Sequence, residues 1–263
     1  MPEREQGGLP EALRTVSFVP DWAMPPGVRA IQTERGVGQA PFGGFNLGDH
    51  VGDEEHRVRS NRQALSLGFG VRPVWLNQVH GTTVCTLTSE LDGSPEADGS
   101  ISQLPGVACA IMTADCMPVL VADRHARVVG AAHAGWRGLA AGVLQSLIRT
   151  MTAIPGVRPQ DLTVWLGPAI GPMAFEIGFE VRDAFVAQSV AHKGSFLRHP
   201  KHQDKLLADL PALATRILQD SGVKDITASG LCTFNLADRF YSYRREGITG
   251  RMASLIWLNQ ASR

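Results

Sequence analysis

The sequence predicts an α/β fold built as one domain around a mixed β-sheet. The chain has 263 residues, of which 44% are hydrophobic, enough for one sizeable core. Apolar runs of strand length alternate with segments whose apolar residues recur at helical spacing. No repeat or linker divides the chain, so we expect a single domain at 13–263. We expect a flexible tail at 1–12.

The N-terminal part supplies a helix and several short strands. Apolar residues predict a strand at Arg14–Val19, and the Gly-rich polar stretch Gln39–Gly52 predicts a long loop. An acidic start and a polar face predict a helix over Glu54–Leu67. Alternating residues predict strands at Val74–Leu76 and Thr82–Leu87, joined by a turn.

The middle of the chain is the most apolar part. Three consecutive apolar runs predict strands buried on at least one face, and two further strands follow. Apolar residues at four-residue steps from Leu139 predict a helix. The strands of this region are Val107–Thr113, Met117–Ala122, Arg127–Ala132, Leu162–Leu166 and Met252–Leu258. The helices are Leu139–Met151, Glu180–Val190 and Asp204–Asp220.

The charge and cysteine content exclude several classes of protein. Lys+Arg and Asp+Glu each number 25, which argues against bulk electrostatic binding to nucleic acid or to an anionic membrane. No signal peptide is recognisable, and the apolar runs are too short to span a bilayer. The 4 cysteines form no CxxC pair, which favours reduced thiols. We therefore expect a cytoplasmic protein that binds neither nucleic acid nor membranes.

Chemically active side chains occur where predicted strands end. His80 lies in the turn Asn77–Gly81, where an isolated histidine is usually just solvated. Asp115 and Cys116 lie between two apolar strands, where they are costly unless paired or ligated, although Cys116 is also compatible with plain core packing. His133 ends a strand. The turn Gly135–Gly138 that follows, with Arg137, suits an anion, but such strand–Gly–helix turns are common.

Taken together, His80, Cys116 and His133 indicate a metal site. Two imidazoles and a thiolate with one open position are typical of catalytic zinc. The same set fits trigonal copper, with Met112 or Met117 as an axial ligand. A third interpretation makes Cys116 a nucleophile, with His133 as its base and Asp98 or Asp115 orienting the base.

Other polar clusters are weaker candidates. Asp98 precedes a glycine, which is more typical of a turn than of a catalyst. Arg59 contributes to a basic side of the first helix, which is either a solvated face or a phosphate site. His199 and His202 lie in a polar stretch and are interpreted as surface residues.

Several ordered motifs resemble those of the laccase-domain family, also described as multicopper polyphenol oxidases and as YfiH-type purine nucleoside phosphorylases. The resemblance runs from about Phe45 to Leu258, most of the chain. The matching motifs are FNLGDHVGD at 45–53, NQVHG at 77–81, ADG at 97–99, TADCMPVL at 113–120, HAGWRG at 133–138, GPAIGP at 167–172, and CTF at 232–234 with RFYSYRREGITGRMASLIWL at 239–258.

The resemblance implies a fold, a metal and a set of reactions. The fold is an αβ sandwich with mixed β-sheets, similar to toxin-type Cys–His hydrolases. The metal ligands carry over onto His80, Cys116 and His133, with zinc, alternatively copper, as cofactor. The implied reactions are phosphorolysis of adenosine, inosine, guanosine and methylthioadenosine, and deamination of adenosine. Copper-dependent phenol oxidation and hydrolytic editing of peptidoglycan precursors are the alternatives.

These reactions suggest roles for further residues. Deamination needs a proton shuttle, for which Asp98 and Asp115 are the candidates, with Cys116 as the catalytic thiolate. Phosphate is expected at Arg59 and Arg137. Asn46 is a candidate for hydrogen bonding to purine or ribose, and Ser242 and Arg244 are expected over the site. We expect small-molecule partners only, a purine nucleoside and phosphate, and a monomer or weak homo-oligomer. The loop at Met173–Phe175 departs from the family pattern, which places its role in substrate choice in doubt.

Overall fold

Two β-sheets stacked face to face form the centre of the computed structural model, which describes residues 9–259. The strands are β1 (Ser17–Phe18), β2 (Val28–Thr33), β3 (Arg72–Val74), β4 (Val84–Thr86), β5 (Gly99–Ser102), β6 (Val107–Thr113), β7 (Met117–Asp123), β8 (Val129–Ala134), β9 (Leu162–Leu166), β10 (Glu176–Ile177), β11 (Phe196–Arg198), β12 (Leu206–Ala208), β13 (Asp225–Ala228) and β14 (Met252–Leu258). The helices are α1 (Glu55–Phe69), α2 (Trp136–Ala141), α3 (Val143–Thr152), α4 (Phe179–Val186), α5 (Leu210–Asp220) and α6 (Tyr243–Glu246). Short 3-10 helices occur at Glu11–Leu13, Pro159–Asp161 and Val190–Ser195.

Both large sheets are mixed. The five-stranded sheet has the order β1-β2-β14-β6-β3, and the six-stranded sheet has the order β13-β9-β7-β8-β5-β4. Parallel pairing occurs between β3 and β6, between β4 and β5, and between β9 and β13, and the other neighbours are antiparallel. A small sheet, β10-β12-β11, lies beside them. The mixed α/β fold predicted from the sequence is confirmed.

Alternation along the strands explains the layering. In β7, Val119 and Val121 pack in the core beneath the helices, whereas Leu120 and Ala122 pack in the core between the two sheets. Helices α3, α4 and α5 therefore cover the outer face of the six-stranded sheet. Leu65 of α1 packs against the outer face of the five-stranded sheet. The resulting order of layers is helices, sheet, sheet, helix.

Several predicted boundaries are wrong, each for a local reason. The helix predicted at Leu139–Met151 is divided into α2 and α3, since Gly142 has a φ of 103°. The helix predicted over Asp204–Asp220 begins only at Leu210, because 206–208 pairs as β12 and the Asp209 side chain accepts the Ala212 N–H as a cap. The helix predicted over Glu180–Val190 ends at Val186.

The strands on either side of His80 do not form a hairpin. Strand β3 belongs to the five-stranded sheet and β4 to the six-stranded sheet, so the chain between them crosses from one sheet to the other. Strands β2 and β5 were not predicted at all. Strand β5 is short and contains a glycine and two serines, and its residues are nevertheless fully buried.

Residues 1–8 of the predicted tail at 1–12 lie outside the described residues. Beyond that point Leu9 and Leu13 are buried against the outer face of the five-stranded sheet, together with Leu65. Among residues 9–259, none of the helices combines the length and the apolar composition needed to cross a bilayer.

Candidate metal centre

Three separate chain segments bring His80, Cys116 and His133 together at one end of the six-stranded sheet. Cys116 immediately precedes β7, and His133 lies in β8, which pairs antiparallel with β7 so that His133 is opposite Pro118. The third side chain, His80, comes from the segment that crosses between the sheets. Strand pairing and this crossover together place residues that are up to 53 positions apart, from 80 to 133, at one point.

The donor atoms of the three side chains converge closely. One nitrogen of each histidine and the Cys116 sulfur all lie within 4.8 Å of one another. His80 Nε2 is 3.6 Å from Cys116 Sγ, and the two imidazole rings have centroids 4.7 Å apart. His80 is exposed and His133 is buried, so the cluster has a protein side and a solvent side.

A buried carboxylate fixes both histidines. Oδ1 of Asp98 lies 2.8 Å from His133 Nδ1 and also accepts the His80 backbone N–H at 2.9 Å. Oδ2 accepts the N–H groups of Val79 at 3.1 Å and Gly81 at 2.6 Å. With the His133 Nδ1–H directed at Asp98, Nε2 keeps its lone pair for a metal ion.

The hydrogen bonds from Asp98 also explain the backbone at His80. His80 has a φ of 61°, in the left-handed region that a non-glycine residue adopts at a cost of roughly 1–3 kcal/mol. Three consecutive N–H groups pointing at one carboxylate hold this conformation. Asp98 therefore sets the direction from which the His80 side chain leaves the loop.

Asp115 anchors Cys116 in a similar way. Its φ is 94°, and its carboxylate accepts hydrogen bonds from Thr233 Oγ1 at 2.6 Å, Ser242 Oγ at 3.0 Å and the Arg244 backbone N–H at 2.7 Å. The carboxylate thus joins the start of β7 to two C-terminal loops. Of the residues predicted to lie over the site, Ser242 contacts Asp115 through its hydroxyl and Arg244 through its backbone N–H, whereas the Arg244 guanidinium donates to the Glu176 carbonyl at 2.9 Å.

The cluster is electrostatically polarised. Burial alone raises the pKa of the Cys116 thiol, but the charge of His133 and hydrogen bonds to both histidines lower the pKa to about 6. Burial alone lowers the pKa of His133, but the Cys116 thiolate and Asp98 raise it to about 9. Both shifts favour a thiolate–imidazolium pair between Cys116 and His133 in the metal-free protein.

A glycine beside the cluster leaves no room for a side chain. A Cβ atom at Gly135 would lie 2.7 Å from His80 Cδ2 and 2.8 Å from Cys116 Sγ. The φ of Gly135 is −69°, which any residue adopts, so the requirement for glycine here is purely steric. The fit of the backbone around the donor atoms, together with their two-nitrogen, one-sulfur chemistry, matches a bound metal ion.

An arginine that the sequence reasoning missed lies next to this cluster. In the β6–β14 ladder Met252 is opposite Thr113, which places Arg251 beside the Ala114–Cys116 turn. The half-buried Arg251 guanidinium donates from Nη1 to the carbonyls of Thr249 and Gly250, and within residues 9–259 it forms no ion pair with a carboxylate. Burial lowers its pKa, while the charges of Cys116 and Asp115 raise it. Arg251 lies within the motif at 239–258, but its position beside Cys116 follows from the register of β14 with β6.

The other predicted binding residues are placed differently. Arg59 is exposed on α1 and pairs with Glu55, so the predicted phosphate role at Arg59 has no support from its position. Asn46 is buried, and its amide is used by Gly48, Asp53 and the Arg251 N–H, so the group expected to bind substrate organises a loop. Arg137 is exposed, with its guanidinium 4.6 Å from the Trp136 ring centroid.

A second histidine cluster is a hydrogen-bonded turn. Ligand atoms of Glu176, His199 and His202 also lie within 4.8 Å of one another. However, His199 Nδ1 accepts the N–H groups of Lys201 and His202 at 3.1 and 3.0 Å, so the proton of a neutral His199 is on Nε2. This Nε2–H faces Glu176 Oε2 at 3.4 Å and has no lone pair to give to a metal.

The chain is similar to known proteins over most of its length. The family model described as multi-copper polyphenol oxidoreductase laccase matches residues 29–259. Purine nucleoside phosphorylase PA4543 of Pseudomonas aeruginosa is 51% identical over 245 residues, covering 92% of this chain and 98% of the relative. Purine nucleoside phosphorylase YfiH of Escherichia coli is 46% identical over 245 residues, with the same coverage of 92% and 98%.

Solved structures show the same fold. The crystal structure of Neisseria meningitidis protein NMB0706 has a TM-score of 0.86 and 45% identity, covering 93% of this chain and 99% of that chain. The crystal structure of Bacillus licheniformis protein YfiH also has a TM-score of 0.86, at 28% identity, covering 93% and 97%.

Proposed function

This chain belongs to the multi-copper polyphenol oxidoreductase laccase family, and we propose that it is a zinc-dependent purine nucleoside phosphorylase that also deaminates adenosine. The names of the relatives from Pseudomonas aeruginosa and Escherichia coli support the phosphorylase activity. The proposed nucleosides are adenosine, inosine, guanosine and methylthioadenosine, with inorganic phosphate as the second substrate.

The observation that carries the proposal is the convergence of His80, Cys116 and His133 with a solvent-accessible side. Three protein ligands and a free fourth position are the usual arrangement of catalytic zinc. When bound, zinc supplies a Lewis acid and activates water near neutral pH. Asp98 keeps His133 in the tautomer that can bind the metal.

The surroundings favour zinc over the copper alternative. A trigonal copper site usually has a weak axial ligand such as methionine. Met117 is buried in the core beneath the helices, and the Met112 sulfur accepts a hydrogen bond from Arg62 Nη2 at 3.5 Å. Both thioethers proposed as axial ligands therefore have other partners.

We assign the phosphate to Arg251 first and to Arg137 second. In phosphorolysis an oxygen of phosphate bonds to C1′ of the ribose while the C1′–N9 bond breaks. The base leaves with the electron pair of that bond and takes up the proton that the phosphate loses. A half-buried guanidinium that forms no ion pair with a carboxylate among the described residues suits the attacking dianion, because a planar fork can hold two of its oxygens. Arg251 meets this description better than the exposed Arg59.

Asp98 and Asp115 act as positioning residues in this proposal. Asp98 accepts four hydrogen bonds and Asp115 accepts three, so each carboxylate is already committed to holding the residues that carry the ligands. The proton-shuttle role expected for them in deamination conflicts with these contacts.

A phosphate-dependence assay tests the proposal. Release of hypoxanthine from inosine should require inorganic phosphate and yield ribose 1-phosphate, and purified protein should contain about one zinc per chain. Equal rates without phosphate, with free ribose as product, would identify a hydrolase instead. Stoichiometric copper with phenol oxidation would support the oxidase alternative.

A cysteine hydrolase remains the second candidate because of the Cys116–His133–Asp98 arrangement. A thiolate with a pKa of about 6, an imidazolium and an orienting carboxylate are the parts of a nucleophilic triad. Such an enzyme, acting on peptidoglycan precursors, would be active without metal and blocked by thiol alkylation. The phosphorylase would lose activity when the metal is removed.

A further inference from the structure

A second concave surface lies between α4 and the edge strand β11. It encloses about 350 Å³ and is lined by Phe179, Arg182, Lys193, Phe196, Arg198 and Leu206, which together define the basic–aromatic cleft. None of these residues belongs to the metal centre or to the loops that hold it. A volume in the range of roughly 300–1,000 Å³ is usual for small-molecule sites.

The charge of the cleft is positive. Arg182, Lys193 and Arg198 line it, and none of the lining residues is acidic. Arg182 donates to Asp183 at 2.7 Å and is partly neutralised, whereas Lys193 and Arg198 form no ion pair within residues 9–259. Two uncompensated cations at one concave surface favour a multiply charged anion, since both can act on it at short range.

The aromatic residues of the cleft add a second kind of contact. Phe179 is 39% exposed, and the Arg182 guanidinium is stacked 4.9 Å from its ring centroid. Phe196 is held in place by Phe185, with ring centroids 6.0 Å apart. An exposed ring stacked with a guanidinium offers a flat surface of the kind on which nucleobases stack.

We propose that the basic–aromatic cleft is a second ligand site, separate from the metal centre, that binds a nucleoside diphosphate. Lys193 and Arg198 contact the phosphates, and the Phe179–Arg182 pair stacks with the base. The site is independent of the reaction proposed above, because it shares no residue with the cluster of His80, Cys116 and His133.

Equilibrium binding of ADP to the full-length protein tests the proposal. We expect saturable binding of ADP in the presence of excess inosine, with much weaker binding of adenosine, which lacks the charge, and of pyrophosphate, which lacks the ring. ADP binding should persist in Cys116→Ser, which lacks a proposed metal ligand. The binding test therefore remains valid even if the proposed reaction is refuted. Displacement of ADP by inosine would place it at the metal centre and overturn the proposal.

Variants of the cleft separate the contributions of charge and ring. Lys193→Ala and Arg198→Ala should each weaken ADP binding by about tenfold, and Arg216→Ala, an exposed arginine paired with Asp220 on α5, should leave it unchanged. Phe179→Ala should weaken ADP binding but not pyrophosphate binding. Unchanged ADP affinity in Lys193→Ala and Arg198→Ala, with native thermal unfolding, would refute the site. Equal affinity for ADP and pyrophosphate would show an anion patch without base recognition and overturn the assignment of a nucleoside diphosphate.

Discussion

Oδ1 of Asp98 lies 2.8 Å from His133 Nδ1 and 2.9 Å from the His80 backbone nitrogen, so one buried oxygen controls both histidines of the candidate metal centre. Through Nδ1 it selects the tautomer of His133, and through the backbone it holds the left-handed conformation of His80. The geometry of the centre therefore depends on a residue that does not itself belong to the ligand set.

Replacement of Asp98 by Asn should loosen the metal and destabilise the fold. An amide has one acceptor oxygen for the four donors that Asp98 now satisfies, and its NH2 group is a donor. We expect metal affinity, measured by chelator competition, to fall about 10- to 100-fold. The free energy of unfolding should fall by roughly 1–3 kcal/mol. Asp92→Asn, at an exposed loop position, is the control, and unchanged metal affinity in Asp98→Asn would contradict the assigned role.

Cys116→Ser should lose metal and activity together. The substitution removes the only soft ligand of the His80–Cys116–His133 set and leaves two imidazoles. Metal content by elemental analysis and phosphorolysis of inosine should therefore fall in parallel. Loss of activity with retained metal would favour the nucleophile interpretation, and full activity would refute both.

The pH dependence of alkylation should report the thiolate of Cys116. Because its pKa is lowered to about 6, the reactive thiolate already dominates above that pH. In metal-free protein, the rate of Cys116 alkylation by iodoacetamide should rise from about pH 5 to about pH 7 and then level off. His133→Ala removes the compensating charge and should shift this midpoint upward. Cys85 serves as an internal control, since burial raises its pKa. A rate that keeps rising tenfold per pH unit to about pH 8 would contradict the ion pair.

A methyl group at Gly135 should exclude the metal without unfolding the chain. The Cβ atom added by Gly135→Ala would lie 2.8 Å from the Cys116 sulfur, so the ligands must move apart. We expect metal affinity to fall about tenfold or more, with near-native thermal unfolding because the φ of −69° suits alanine. Gly194→Ala, where a Cβ meets nothing within 4 Å, is the matched control. Wild-type metal affinity in Gly135→Ala would show that the ligands do not close around an ion.

The sequence supported the prediction of features that depend on neighbouring residues. The long apolar strands β6, β7, β9 and β14 were expected within one residue of their bounds, because continuous apolar runs of strand length have few alternatives. Two candidate ligands were recognisable because Cys116 and His133 lie next to such runs, and His80 was recognisable in the turn Asn77–Gly81. Strand β5 was missed because its serines and glycine read as a loop, although tertiary packing buries them.

Features that depend on pairing between distant segments were missed. Asp98 was interpreted as a turn residue, because nothing near it in the sequence shows that four hydrogen-bond donors from other segments point at its carboxylate. The predicted β3–β4 hairpin was wrong for the same reason, because β3 pairs within the five-stranded sheet and β4 pairs within the six-stranded sheet. Arg59 was chosen for its basic neighbours, whereas Arg251 reaches the centre only through the register of β14 with β6.

Arg251→Ala should raise the phosphate requirement of inosine cleavage more than any other arginine substitution tested. Its guanidinium is half-buried beside Cys116 and Asp115. It forms no ion pair with a carboxylate within residues 9–259, so it is available to form one with an incoming phosphate dianion. Losing one charge-assisted hydrogen bond to the reacting phosphate should raise its KM by about 10- to 100-fold. Arg137→Ala should have a smaller effect, because that side chain is exposed and stacked on Trp136. Arg59→Ala, which breaks only an exposed pair with Glu55, should have none.

Deamination of adenosine separates phosphate binding by Arg251 from a structural role. That reaction uses water and not phosphate, so its rate in Arg251→Ala should stay near that of the wild type. The backbone N–H of residue 251 still donates to Asn46 Oδ1 in this variant, so the loop itself should be retained. Zinc content and thermal unfolding should be checked in the same preparation. Equal losses of phosphorolysis and deamination would mean that Arg251 supports the loop or the purine, and the phosphate would then have to be assigned to Arg137 alone.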